Sequence, residues 1–181
     1  MSLPNEYIAA LRPLAEAFSA YETETGQTPV LVGGAAAAIH TNGNFMSADF
    51  DVVAGNDDAF ARAMRAAGFL DDEMAIHGKG GWYHPAHPQF GVEQVSGDFF
   101  DGRAARSRCL RLTVKRDAAV VLPSVEDMIA DRLGQHEIAA GDPSMLQQAL
   151  ALFRLSEGLD LDYLHRRITE EGGNPAHLRL S

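Results

Sequence analysis

Cysteine is almost absent from this 181-residue sequence. Cys109 stands alone, so neither an intrachain disulfide nor a cysteine-based zinc cluster can form. A reducing compartment, the cytoplasm, is the expected home. No apolar run approaches the roughly 18 residues of a membrane-spanning helix. Met1 to Ile8 carries Glu6 and lacks the cationic start of a signal peptide, so no membrane partner is expected. Basic residues are few, 15 against 25 acidic. The formal charge of −10 excludes a protein coated in nucleic acid and leaves room only for a local basic site. Internal repeats and low-complexity stretches are missing as well. What is present is an apolar share of 46%, enough for one domain, or one domain with an appendage, to bury a real core.

Punctuation by glycine and proline divides the chain. Pro4 opens a helical pattern with Ile8, Leu11, Ala15 and Phe18 on one face, and Pro13 should kink or divide it. Gly26 ends that pattern. A short buried strand, Val30-Leu31-Val32, follows and breaks at Gly33-Gly34, after which Ala35 to Ile39 reads as a helix. Thr41 to Ser47 is a polar loop, and Asp49 to Val53 a second strand. Asn56 or Asp57 can cap the next helix, which carries Phe60, Met64 and Phe69. Glu73 to His77, Trp82-Tyr83, Phe90 to Val95, Cys109 to Val114 and Ala118 to Leu122 are short strand patterns between turns. Beyond Pro123 come three helical patterns, at 124–138, 143–156 and 160–171, the first opened by a capping box of Ser124 with Asp127. The expected architecture is an α/β core over residues 1–122, with a helical extension over 123–181 packed on it.

Chemistry is suggested by carboxylates at strand spacing. Asp49 and Asp51, one residue apart on a strand, project from the same face ~7 Å from each other. Two converging carboxylates repel, and a divalent cation relieves that repulsion. The plain alternative is a solvated pair at a strand end. Upstream, Gly33-Gly34 lets the backbone approach a ligand at a helix start, where N–H groups favour phosphate. It is neither a P-loop nor a dinucleotide fingerprint. Glu93, in the apolar run Phe90-Gly91-Val92-Glu93-Gln94-Val95, could add a third acid from a neighbouring strand. His77, His84 and His87 lie close together near Lys79, but their spacing matches no zinc motif and reads as a polar hairpin tip.

Taken in order, Gly33-Gly34-Ala35-Ala36, then Ser47-Ala48-Asp49-Phe50-Asp51, then Glu93 resemble the nucleotidyltransferase superfamily, the fold of DNA polymerase beta. Pro123-Ser124-Val125-Glu126-Asp127, followed by Asp131-Arg132-Leu133, is similar to a helix of the minimal, abortive-infection (AbiEii-like) toxin type. Leu146 to Leu150 and Leu159 to Leu164 resemble that family's last helices. The chain departs from the pattern at Phe45-Met46, where an arginine is common, and at Arg132, where lysine is common. The resemblance implies a mixed sheet flanked by helices and a Mg²⁺-dependent transfer of a nucleoside monophosphate from a nucleoside triphosphate, ATP included. It implies two Mg²⁺ ions held by Asp49, Asp51 and Glu93. Gly33, Gly34, Ser47, Arg132 and Lys79 would contact the nucleotide. The acceptor it allows is RNA, a protein or a small molecule, and a toxin–antitoxin setting would add an antitoxin as partner. The rival expectation is a non-catalytic or degenerate nucleotide-binding protein of the same fold.

One charge cluster stands apart. Arg103, Arg106, Arg108, Arg111, Lys115 and Arg116 fall together with no acid among them until Asp117. They read either as a surface guiding a phosphate-rich acceptor or as a face that balances acidic neighbours.

Overall fold

The computed structural model describes residues 2–72, 81–95, 98–139 and 142–179. Its chain falls into two compact units, one of Met1–Phe99 with Cys109–Leu122, the other of Phe100–Arg108 with Pro123–Ser181. The break at Pro123 stands where the helical patterns begin. The excursion Phe100–Arg108 belongs to the helical unit because its polar groups are satisfied there: Arg103 donates to the Glu170 carbonyl at 2.8 Å, and the Ala105 N–H donates to the Tyr163 hydroxyl at 3.3 Å.

In the first unit, helix α1 spans Asn5–Thr25 without interruption. Pro13, expected to kink or divide the helix, does not divide it. A proline inside a helix costs ~3 kcal/mol through a lost hydrogen bond and a ring clash. The opposing term is burial: Tyr7, Leu11, Leu14, Phe18 and Tyr21, spaced four and three residues apart, are at most 2% exposed. Gly26 closes the helix in the left-handed conformation, φ +68°.

The sheet has five strands: β1 (Val30–Val32), β2 (Asp49–Val53), β3 (Leu70–Asp72), β4 (Gly81–His84) and β5 (His87–Val95), in the spatial order β1-β2-β5-β4-β3. Only the β2–β5 pair is parallel. Helix α2 (Gly33–His40) and helix α3 (Asp57–Ala66) complete the unit, with β6 (Leu110–Lys115) and β7 (Ala118–Leu122) as a separate hairpin. Ala35 to Ala38 of α2 are all fully buried, small side chains that let backbone pack closely. Asn56 caps α3 by accepting the Ala59 N–H at 3.0 Å. Strand β3 was not evident from sequence, because Leu70 and Asp71 are exposed and show no apolar alternation. The strand expected at Glu73 to His77 lies outside the described residues.

Phe50 of β2 and Phe90 of β5 stack at 5.6 Å, and Tyr7 packs edge-on against both at 5.3 and 5.4 Å. The Tyr7 hydroxyl is buried there with no hydrogen-bond partner among the described residues, and burial pushes its pKa up. Tyr7→Phe removes that unpaired group and leaves the ring packing intact. The expected result is a gain of about 1 kcal/mol, read from the denaturation midpoint.

In the second unit, α4 (Val125–Ile138), α5 (Ser144–Leu155) and α6 (Leu161–Glu170) occupy the three segments expected from sequence. Ser124 caps α4 by accepting the Asp127 N–H at 3.1 Å, and Asp160 caps α6 by accepting the Tyr163 N–H at 3.0 Å. No described helix is long and apolar enough to cross a membrane.

Candidate functional site

Strand alternation decides which way the aspartates face. Phe50 and Val52 are 1% and 0% exposed on the α1 side of β2, so Asp49 and Asp51 project from the opposite side. In the parallel pairing of β2 with β5, Asp51 stands opposite Glu93 and Asp49 opposite Gly91. Residues paired across a sheet share a face, so Glu93 joins the aspartates there. On the other flank of β2, Asp51 pairs with Val32, the residue that leads into Gly33-Gly34.

The glycines make room for these side chains. A Cβ at Gly33 would stand 2.1 Å from Asp51 Oδ2, and a Cβ at Gly34 would come within 3.0 Å of Ser47 Oγ. Gly33 has φ +64° and is the first residue of α2, so the Asp51 carboxylate lies against the start of that helix. At Gly91, opposite Asp49, an added Cβ would only touch Asp49 Oδ1, at 3.4 Å. Ser47 is fixed by its neighbour: its hydroxyl accepts the Asp49 N–H at 3.3 Å and donates to the Asp49 carbonyl at 3.1 Å. Gly91 was missed in the sequence reading. A glycine inside a strand pattern is the signal that could have found it.

Gly33, Gly34, Ser47, Asp49, Asp51 and Glu93 thus come together around one end of β2. Asp49 is exposed, while Asp51 and Glu93 are half-buried, which leaves all three able to meet a ligand. Among the described residues no three His, Cys, Asp or Glu side chains, Asp49, Asp51 and Glu93 included, are placed closely enough to hold a metal ion together as they stand. Arg132 belongs to the other unit, where it is 5% exposed, ion-paired to Asp131 at 2.8 Å and in contact with Met145 Sδ at 3.3 Å. Lys79 and His77 lie outside the described residues. His84 and His87 face each other across the β4–β5 turn, a polar hairpin tip.

Within the basic segment, Arg103, Arg108, Arg111 and Lys115 are paired with acids. Arg103 pairs with Asp101 and Glu171 at 3.2 and 3.4 Å, Arg108 with Asp160 at 2.6 Å, Arg111 with Glu22 at 2.8 Å, and Lys115 with Glu16. Hydrogen bonding to Arg111 holds the Glu22 carboxyl below its usual range. Arg108 also lies 3.9 Å over the Tyr163 ring. The segment is further divided between the two units at Cys109.

Because Gly33 carries both a left-handed φ and a carboxylate against its Cα, Gly33→Ala is expected to be costly. Gly26→Ala supplies a control, since Gly26 has φ +68° and open space where its Cβ would go. The control should lose only the left-handed strain, ~1–2 kcal/mol, and Gly33→Ala distinctly more. Urea denaturation of the two variants measures the difference.

No protein-family model matches this chain, and no curated protein matches it by sequence. Among solved structures it is similar to an antigenic nucleotidyltransferase-like protein from Paracoccidioides brasiliensis. The match has a TM-score of 0.60 and 12% sequence identity, and covers 90% of this chain and 87% of the other. The fold is nucleotidyltransferase-like. In this fold the mixed sheet carries its acidic residues on β2 and β5, and the glycine pair opens α2 beside them.

Proposed function

We propose that this chain transfers a nucleoside monophosphate from a nucleoside triphosphate to an acceptor, with Asp49, Asp51 and Glu93 as the carboxylates of a Mg²⁺-dependent centre. One observation carries the reading: the Asp51 carboxylate lies against Gly33 at the start of α2, in register with Glu93 on the parallel neighbour. The donor set suits the ion. Carboxylate oxygens are hard ligands, and Mg²⁺ takes few of them when phosphates and waters complete its octahedron, so an open group of acids is sufficient. Bound there, two Mg²⁺ ions would neutralise the triphosphate and ease ionisation of the acceptor hydroxyl.

The protein's own groups divide the work. Asp49 and Asp51 would hold both ions, and Glu93 the one on the acceptor side, where it can also take the hydroxyl proton. Gly33 and Gly34 would receive the terminal phosphates, because the first N–H groups of a helix have no partner within the helix. Ser47, held in place by Asp49, would bond the same phosphates through its hydroxyl. Lys79 stays as a further nucleotide contact in this proposal, and Arg132, buried in the other unit and paired with Asp131, is left out of it.

A finer form of the proposal is a toxin of the minimal, abortive-infection type in the cytoplasm, neutralised by an antitoxin, with RNA, a protein or a small molecule as acceptor. Its support is the order of the glycine pair, the Asp-x-Asp strand and the Pro123 to Leu133 helix start. The test is incubation of the purified protein with each α-labelled nucleoside triphosphate, Mg²⁺ and a cell extract. A labelled product that disappears with Asp51→Asn is the expected result. Nucleotide binding without any product would favour a degenerate binding protein instead.

A further inference from the structure

The α1 side of the sheet holds a second cleft, of about 380 Å³, lined among others by Arg12 and Glu16 of α1, Ala67, His84 and His87 of the β4–β5 hairpin, and Lys115 of β6. All of these residues belong to the first unit. The packing of Tyr7 on Phe50 and Phe90 sets α1 on the sheet face opposite Asp49 and Asp51. The cleft is therefore separate from the carboxylate centre. We propose that it is a binding site for a phosphate-bearing anion.

Its lining supplies the donors. The Arg12 side chain is exposed and has no carboxylate partner among the described residues. The Lys115 ammonium is held by Glu16, so Arg12 and Lys115 line the cleft as two cations against one carboxylate. His84 and His87 add two imidazoles with ring centres 5.7 Å apart. His84 Nδ1 accepts the Ala86 N–H at 3.2 Å, which leaves the proton on Nε2 as a donor. That nitrogen lies beside Gly68, next to Ala67 of the cleft wall. Burial, and then the neighbouring His87, lower the His84 pKa, while Glu16 acts weakly in the other direction. A bound anion facing Arg12, Lys115 and both imidazoles would reverse that lowering, because it rewards the charged ring. A guanidinium, an ammonium and paired imidazoles select phosphate oxygens over a neutral ligand.

The probe is inorganic pyrophosphate, titrated calorimetrically into the whole protein with EDTA present and nucleotide absent, so that the carboxylate centre contributes no metal-bridged binding. Wild type should bind, and Arg12→Gln and His87→Gln together should weaken binding about tenfold or more, the loss of two charge-assisted contacts. Arg12 is exposed, so Arg12→Gln alone keeps the test valid if the histidine variant folds poorly. In imidazole NMR spectra, the His84 titration should move to higher pH when pyrophosphate is added. Asp51→Asn should bind pyrophosphate as wild type does, which separates this site from the proposed transferase centre. No binding at millimolar pyrophosphate, or binding unchanged by Arg12→Gln and His87→Gln, would overturn the proposal.

Discussion

Asp51→Asn is expected to lower nucleotidyl transfer about a thousandfold or more, the scale on which a single charge-stabilising group acts in catalysis. The fold should survive. Burial on β2 comes from Phe50 and Val52, which are 1% and 0% exposed, while Asp51 is half-buried on the opposite side. The carboxamide has nearly the same shape, so it fits the space that Gly33 leaves, but it carries no charge to hold a cation. Without metal, the change removes one of several neighbouring negative charges, and the melting temperature should stay level or rise slightly. With Mg²⁺ and a nucleoside triphosphate the two proteins should part. At a ligand concentration a hundredfold above Kd, wild type gains about 2.7 kcal/mol of stability, and the variant should gain little. Asp49→Asn should behave in the same way. Thermal melts with and without Mg²⁺ and nucleotide make the comparison, and equal nucleotide-dependent stabilisation would remove Asp51 from the ligand set.

Much of this arrangement could be read from local pattern. Strands β1, β2 and β7 span the segments expected of them, β1 between Pro29 and Gly33 and β7 ending at Pro123. Helices α4 and α6 follow from spacing and from caps that act over three residues, and α5 from spacing. The shared side of Asp49 and Asp51 follows from alternation alone. What escaped the sequence was long-range. Glu93 could be suspected as a third acid, but its register with Asp51 depends on a parallel pairing across the residues between β2 and β5. The Gly33-Gly34 turn read as an approach for a ligand. In the folded chain Gly33 lies against the protein's own Asp51 carboxylate, a contact that no local rule supplies. Likewise the basic run from Arg103 to Arg116 read either as a guiding surface or as a face balancing acids, and the acids that pair with Arg103, Arg108, Arg111 and Lys115 include distant ones, Glu171, Asp160, Glu22 and Glu16. That Pro13 leaves α1 undivided was hidden as well, because its local cost is visible in sequence while the burial that offsets it is spread along the whole of α1.

The largest loss of stability is expected from Asp127→Ala, about 3–5 kcal/mol. Asp127 and Arg167 are both 0% exposed, and the carboxylate accepts from Arg167 Nε at 2.7 Å. It also accepts from the Tyr163 hydroxyl at 2.9 Å and the Ser124 hydroxyl at 2.7 Å. Truncation therefore leaves the Arg167 Nε–H and two hydroxyl donors without their acceptor in a place that water does not reach, while Glu170 and Glu171 still balance the guanidinium charge. Arg167 cannot escape by losing its proton: despite burial, its hydrogen bonds to Asp127, Glu170 and Glu171 drive its pKa further upward. Nor should salt rescue the variant, since screening acts weakly on a buried pair. Asp127→Asn keeps an acceptor oxygen for Arg167 and leaves Glu170 and Glu171 to balance the charge, so its cost should be nearer 1–2 kcal/mol. Tyr163→Phe removes one neutral donor and should cost about 1 kcal/mol. Amide exchange along α4 and α6 reads these effects within the helical unit itself, and the order Ala, then Asn, then Tyr163→Phe is the expected ranking. If Asp127→Ala costs no more than Tyr163→Phe, the ion pair is not what holds α4 to α6, and the apolar contacts of Met128, Leu133, Leu164 and Ile168 must carry that junction instead.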